Sequence, residues 1–129
     1  EMLPLCVDQG IGVIPWSPMA RGRLARPWGE VTKRVENDPF GSQIYDANAA
    51  ADQRVNEAVA AVAKAQGKTM AQIALAWVMQ KQPVAAPIVG VSKLAQLTDA
   101  IGAVDVKLTA EHVAALEASY TPRANAGFQ

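Results

Sequence analysis

The chain has 129 residues, 50% of them apolar, and its 12 Lys and Arg residues balance its 12 Asp and Glu residues. A balanced charge gives no overall field for binding nucleic acid or an anionic membrane, and so apolar a chain is not disordered. The single cysteine, Cys6, allows no internal disulfide, and no set of Cys and His residues predicts a metal site. No apolar run approaches the ~20 residues that span a bilayer. We therefore expect a cytoplasmic protein.

The first part of the chain predicts a helix, a strand and a long loop. Residues 2–6 carry apolar side chains at helical spacing without a cap before them, which is typical of a helix cut from a larger protein. Gly10 is the expected left-handed residue after that helix, and the apolar segment 11–14 predicts a short buried strand. Prolines and glycines interrupt residues 15–50 without any sustained period, which predicts one long stretch without regular structure, either a functional loop or lid or a disordered insert.

Two helices are predicted next. An apolar stripe at helical spacing begins at Asp52, and Gly67 is expected to end this helix. Thr69 followed by Gln72 forms a capping box, which predicts the start of a second helix directly afterwards. Because this second helix is apolar almost all round, we expect it to lie between other elements.

The last part of the chain predicts a strand and two more helices. Residues 86–89 form a second apolar run that ends at Gly90, and apolar residues at helical spacing over 94–101 predict an amphipathic helix. Thr109 is the expected N-cap of a final helix. Buried strands separated by helices pair in parallel, so the fold class is α/β. Two strands alone are too few, and we expect further strands from a missing N-terminal part or from a second copy.

Ligands of parallel α/β proteins lie beyond the carboxyl ends of the strands, and two segments meet that condition. The first, residues 15–23, offers an aromatic ring, a hydroxyl group, a glycine and two guanidinium groups. Residues 21–34 contain five basic residues against the single acid Glu30, a local charge of +4 that suits a polyanion. A solvated loop with Trp16 in the core is the competing interpretation.

The second segment, residues 90–93, follows the second predicted strand. Gly90 permits close backbone approach, the N–H groups at the start of the next helix point at the loop, and Ser92 and Lys93 add a donor and a charge. These features predict a phosphate site, although Ser92 alone also fits an N-cap. One phosphate-bearing ligand spanning both loops would explain both segments.

Three blocks of the sequence resemble the C-terminal part of an aldo-keto reductase. They are GVIPWSPMARG at 12–22, AQIALAWV at 71–78 and PIVGVSK at 87–93, in the order and spacing of that family. The resemblance covers residues 1–129 as part of one domain, with 15–50 as the cofactor-side loop, and is strongest to bacterial reductases similar to potassium-channel beta subunits. It implies a (β/α)8 barrel of which this chain holds the last two strands, their helices and an extra C-terminal helix.

The resemblance further implies NADPH as cofactor and an aldehyde or ketone as substrate. Trp16 is then expected to stack on the nicotinamide ring. The diphosphate loop is expected to consist of Ser17, Pro18, Met19, Ala20, Arg21, Gly22 and Arg23. The adenosine end with its 2′-phosphate is expected to contact Gly90, Ser92, Lys93 and Gln96, and Asp99 to accept a hydrogen bond from the adenine amino group. Ala100 departs from the Asn that relatives often carry.

The family's catalytic Asp, Tyr, Lys and His lie in its N-terminal half, and no matching motif occurs in this chain. Tyr45, Tyr120 and His112 do not fill these roles, and His112 is expected to face solvent on the last helix. We therefore expect no catalytic residue here and no turnover by these 129 residues alone. Two alternatives to a reductase fragment remain: a nucleotide-binding module that docks on a partner protein, and an inactive remnant that associates with itself.

Overall fold

A computed structural model describes residues 1–30, 32, 39–45 and 48–122. The α-helices in this part of the chain are α1 (Met2–Asp8), α2 (Pro39–Tyr45), α3 (Ala49–Gln66), α4 (Met70–Met79), α5 (Leu94–Ile101) and α6 (Ala110–Glu117). Among the described residues, 3-10 turns lie at Ala20–Gly22 and Gly102–Asp105. Over these described ranges, no helix has the length and apolarity needed to cross a membrane.

Several helix ends predicted from the sequence are confirmed. Gly67 follows α3 with φ +62°, in the left-handed region that glycine adopts without a steric penalty. Thr69 caps α4, because its Oγ1 accepts a hydrogen bond from the Gln72 N–H at 3.1 Å and the Gln72 side chain returns to the Thr69 N–H. Thr109 caps α6 in the same way. These ends depend on contacts within four residues, and such contacts are readable from sequence.

The prediction of an unstructured loop over residues 15–50 is wrong in two places. Helix α2 lies inside the predicted loop, and α3 begins at Ala49 rather than at Asp52. Pro39 suits the first turn of α2, since a proline there gives up an N–H that has no partner within the helix. Tyr45, at the end of α2, is only 8% exposed, and the Arg23 Cζ lies 4.9 Å from the centroid of its ring. Tertiary packing of this kind leaves no periodic signal in a seven-residue helix.

The chain segments around the two predicted strands run parallel, but they meet only at isolated bridges, and neither bridge joins residues 11–14 directly to residues 86–89. Val13 bridges Val84 and Trp16 bridges Ile88, and within the described ranges neither segment extends into a strand. The prediction of buried strands is also wrong for these residues, because Ile14 is 61% exposed and Ile88 is 48% exposed. Each segment pairs with one neighbour, and although Val13, Val84 and Val89 are partly buried, Ile14 and Ile88 stay exposed.

The core lies between α3, α4 and α6. Ile73 is fully buried and Leu75 is 2% exposed, and burying a side chain of this size contributes about 1.5–3 kcal/mol. The prediction that α4 lies between other elements is therefore confirmed. The main cluster consists of Val59, Val62, Ala63, Met70, Ile73, Ala76, Val106 and Leu116.

Helix α5 forms where the sequence predicts it, but its apolar stripe is not buried. Leu94, Leu97 and Ile101 are 78%, 43% and 60% exposed. Exposed apolar surfaces of this kind are typical of faces that pack on another protein segment. The expectation that further barrel residues or a second copy cover such faces stays a prediction.

Candidate functional site

The two loops singled out in the sequence meet around one cleft of about 700 Å³. The parallel bridge between Trp16 and Ile88, with the Ile88 N–H donating to the Pro15 carbonyl at 3.0 Å, holds their starting points together. Of the residues expected to hold the cofactor, all except Ala20 and Arg23 line this cleft. The volume lies within the range of small-molecule and cofactor sites, ~300–1,000 Å³.

The first wall of the cleft is a strained segment that we name the arginine loop, residues 17–26. Ser17, Ala20 and Arg21 have φ values of +56°, +48° and +55°, in the left-handed region that residues with a side chain rarely adopt. Each such residue costs on the order of 1–3 kcal/mol and keeps this conformation only when the surrounding structure fixes it, and such strain concentrates at ligand sites. The turn is fixed in part by the Ser17 Oγ, which accepts a hydrogen bond from the Arg21 N–H at 3.1 Å.

Two guanidinium groups of the arginine loop line the cleft. The Arg21 guanidinium lies 5.7 Å from the Trp16 ring centroid and 5.5 Å from that of Phe40. The Arg26 guanidinium packs against Gly22, where a Cβ atom would lie 3.1 Å from both of its terminal nitrogens. Glycine at position 22 therefore permits the close approach of Arg26, a lining residue that the sequence did not single out by itself.

The second wall begins at the loop before α5, and here one prediction needs correction. The N-cap of α5 is Lys93, so the alternative interpretation of Ser92 as the N-cap does not hold. The backbone N–H groups of Ser92 and Lys93 are not open to a ligand, because they donate to the Gln96 Oε1 at 3.0 and 3.2 Å. The residue three positions after an N-cap commonly reaches back in this way. The exposed Lys93 ammonium group carries the positive charge of this wall.

Asp99 lies further along α5 and is held by the start of α4. Both of its carboxylate oxygens accept from the Thr69 hydroxyl at 3.0 Å, and the Gln72 Nε2 donates to its backbone carbonyl at 3.1 Å. The sequence revealed the capping box of Thr69 and Gln72 but not this second use of it. A contact across 30 residues has no local signal.

Asn56 on α3 is a second residue that the sequence reasoning missed. It is 2% exposed, and its Nδ2 donates to the backbone carbonyls of Arg23 at 2.6 Å and Arg26 at 2.9 Å. The available signal was a polar side chain three residues before Val59, on the buried face of the helix. A buried amide of this kind is normally hydrogen-bonded, so its position predicts a partner without identifying it.

His112 and Glu117 lie on α6, away from the cleft. His112 was expected to face solvent, but its ring is half-buried. Its Nδ1 lies 2.9 Å from the Gln66 Nε2 and accepts a hydrogen bond from the Thr109 N–H at 3.3 Å. The Lys81 ammonium and the Trp77 indole N–H both bond to the Glu117 carboxylate and lower the pKa of that group. Within the described ranges, no cluster of His, Cys, Asp and Glu can hold a metal ion.

The sequence of this chain is similar to those of proteins of known family. The profile of the aldo/keto reductase family matches residues 1–121. The versiconal hemiacetal acetate reductase of Aspergillus parasiticus is 40% identical over 96% of this chain and 36% of its own length. A putative aryl-alcohol dehydrogenase of Saccharomyces cerevisiae is 36% identical over 95% of this chain and 36% of its own length.

A solved structure agrees with the sequence matches. A thermostable aldo-keto reductase, crystallised with the inhibitor epalrestat, superposes with a TM-score of 0.60 at 22% identity, over 92% of this chain and 33% of that one. At this identity the match concerns the fold, which in that family is a (β/α)8 barrel. The chain spans about one third of the length of each of these relatives. It belongs to the aldo/keto reductase family.

Proposed function

We propose that this chain forms the NADP(H)-binding part of an oxidoreductase that interconverts aldehydes or ketones and alcohols. The family generally uses a nicotinamide dinucleotide, and the observation that carries the proposal is the meeting of the two loops at one cleft. Arg21 and Arg26 line one side of that cleft and Lys93 the other. Three cations around a cavity of this size suit a ligand with several phosphates.

The residues present fit such a dinucleotide. Trp16 is 60% exposed and lines the cleft, so a flat aromatic surface is available to the nicotinamide ring. The arginine loop supplies guanidinium groups for the diphosphate, since planar guanidinium groups bind phosphate through paired hydrogen bonds. Lys93 is proposed to bind the 2′-phosphate. The bound cofactor supplies the hydride, and the part of these residues is to hold and orient it.

Gln96 limits how a phosphate can bind at the second loop. Its amide oxygen already accepts from the Ser92 N–H, the Ser92 hydroxyl and the Lys93 N–H. A phosphate therefore either displaces this oxygen or binds through the Lys93 ammonium group alone. Since an ammonium group on a flexible stem reaches several positions, the second arrangement requires no rearrangement of the loop.

We propose that the proton donor for the reaction lies outside these 129 residues. Carbonyl reduction needs a positioned acid beside the hydride donor. Tyr45 is buried below Arg23, and neither it nor Tyr120 or His112 lines the cleft. The matched relatives are about three times as long as this chain, which leaves room for the acid elsewhere in such a protein.

The test is a cofactor titration followed by a turnover assay. We expect the whole protein that contains this chain to bind NADPH in the micromolar range typical of substrates and cofactors, and to oxidise it when an aldehyde is added. Because one similar protein is named as a putative aryl-alcohol dehydrogenase, aryl aldehydes are the first substrates to test. A verified 129-residue species serves as the matched control and should show no turnover. Absence of NADPH and NADH binding at millimolar concentration would refute the proposal.

A further inference from the structure

Asn56 is a buried polar side chain that lies outside the cleft but is bonded to its wall. It is 2% exposed, projects from α3, and is absent from the residues that line the cleft. Its amide group donates to the carbonyl oxygens of Arg23 at 2.6 Å and Arg26 at 2.9 Å. Burying an amide is costly unless its donors are satisfied, and here both bonds end on one distant loop.

The two carbonyl groups belong to the end of the arginine loop. The start of this loop, where Ser17, Ala20 and Arg21 have positive φ values, forms the cleft wall. The two parts are in contact, since the Arg26 guanidinium packs against Gly22. Asn56 thus holds the backbone of Arg26, and the side chain of Arg26 lies against the strained turn.

The strain gives this anchor a specific consequence. Residues in the left-handed region return to ordinary conformations unless the surrounding structure fixes them. The hydrogen bonds within the turn are local and move with it, whereas the bonds from Asn56 tie the loop to a long helix in the core. We expect release of this tie to let the loop relax and to move both cleft guanidinium groups, even though Leu24 also packs on the core.

We infer that Asn56 is a positioning residue for the dinucleotide. It acts through the carbonyl groups of Arg23 and Arg26 and keeps the arginine loop in its binding conformation without touching the ligand. The inference rests on the proposed function for the identity of that ligand. The competing view is that Asn56 only stabilises the fold, in which case its loss lowers stability without a selective effect on the loop.

The first variant is Asn56→Leu, which keeps the branching at Cγ and removes both N–H donors. In the whole protein we expect trypsin to cut faster after Arg21 and Arg23, while cuts after Lys64 and Lys68 keep their rate. The bond after Arg26 precedes Pro27 and resists trypsin. Gln53→Leu is the matched control, because it removes an amide on the same helix whose Nε2 donates to the exposed Glu57 carboxylate.

The second readout is cofactor affinity. We expect Asn56→Leu to weaken NADPH and NADH equally, by about tenfold, which corresponds to the upper end of the net value of a single hydrogen bond. Gln53→Leu should change neither affinity. If Asn56→Leu does not fold, Asn56→Ser keeps one shorter donor and should give an intermediate loss.

The outcomes separate the inference from the proposed function. Wild-type protein that binds neither dinucleotide refutes the proposed function, and that measurement precedes every variant. A folded variant at position 56 with wild-type affinity, or with faster cutting at all sites alike, overturns the inference alone. Selective cutting in the arginine loop together with a shared loss of NADPH and NADH affinity supports it.

Discussion

Gly102 is a position where two opposing effects decide the sign of a substitution. Its φ of −60° and ψ of −15° are ordinary helical values, so alanine fits the backbone without strain. Replacing glycine by alanine at such a site stabilises a protein by about 0.4–1 kcal/mol, chiefly by restricting the unfolded chain. The added Cβ, however, would lie 2.5 Å from the Gln72 Nε2.

The Gln72 amide cannot move without loss. Its Nε2 donates to the Asp99 carbonyl at 3.1 Å, and its Oε1 accepts from the Thr69 N–H at 3.3 Å. Each of these hydrogen bonds contributes about 0.5–1.5 kcal/mol. Losing both outweighs the gain from alanine, so we expect Gly102→Ala to destabilise the protein by about 1 kcal/mol.

Urea unfolding of four proteins tests this reasoning: wild type, Gly102→Ala, Gln72→Ala and the double variant. In the Gln72→Ala background the amide is gone, and the same glycine substitution should become stabilising by up to ~1 kcal/mol. The change of sign isolates the contact between the two side chains. Equal stabilisation in both backgrounds would show that the Gln72 amide moves away at no cost.

The remaining predictions concern charge and association. Lys93→Glu should lower the affinity for NADPH about tenfold or more and the affinity for NADH little, because only NADPH has a 2′-phosphate. Trp16→Ala should lower both affinities alike. Fluorescence titration of each variant distinguishes these patterns, and equal losses for Lys93→Glu would mean that the 2′-phosphate is bound elsewhere. Hydrogen bonds from Lys81 and Trp77 lower the pKa of Glu117 from its ordinary value of 4.5. The ionised Glu117 therefore stabilises the fold above pH 4.5, and this stabilisation is lost as the pH falls through the lowered pKa. The thermal midpoints of wild type and Glu117→Gln should converge in acid, and a difference that does not change with pH would contradict a stabilising role of the ionised carboxylate. The 129-residue species alone should self-associate through its exposed apolar faces, and a compact monomer in light scattering would count against the barrel-fragment interpretation.

Elements whose signals lie within a few residues were predictable from the sequence. The capping box at Thr69, the left-handed Gly67 and the start of α6 at Thr109 need no tertiary information. Helix α2 was missed because tertiary packing around Tyr45 replaces periodicity. The prediction of buried strands was wrong because an apolar run indicates only that a segment suits burial. It does not show whether another segment packs against it.

The candidate site divides in the same way. Both loops were found because strand ends, glycines and cations stand together in the sequence, and the structure brings them to one cleft. The bonds from Asn56 to the arginine loop and from Thr69 to Asp99 join residues about thirty positions apart. Only the fold decides such pairs. The prediction of open N–H groups before α5 was wrong, because two of them donate hydrogen bonds to the Gln96 side chain.

The proposed binding of NADP(H) in the cleft between the two loops is best tested by a structure of the protein determined with NADP⁺. We expect the nicotinamide ring against Trp16, the diphosphate along the arginine loop and the 2′-phosphate within hydrogen-bonding distance of the Lys93 ammonium group. A dinucleotide bound outside this cleft, or bound in it with the 2′-phosphate away from Lys93 and the ring away from Trp16, would refute the proposed function.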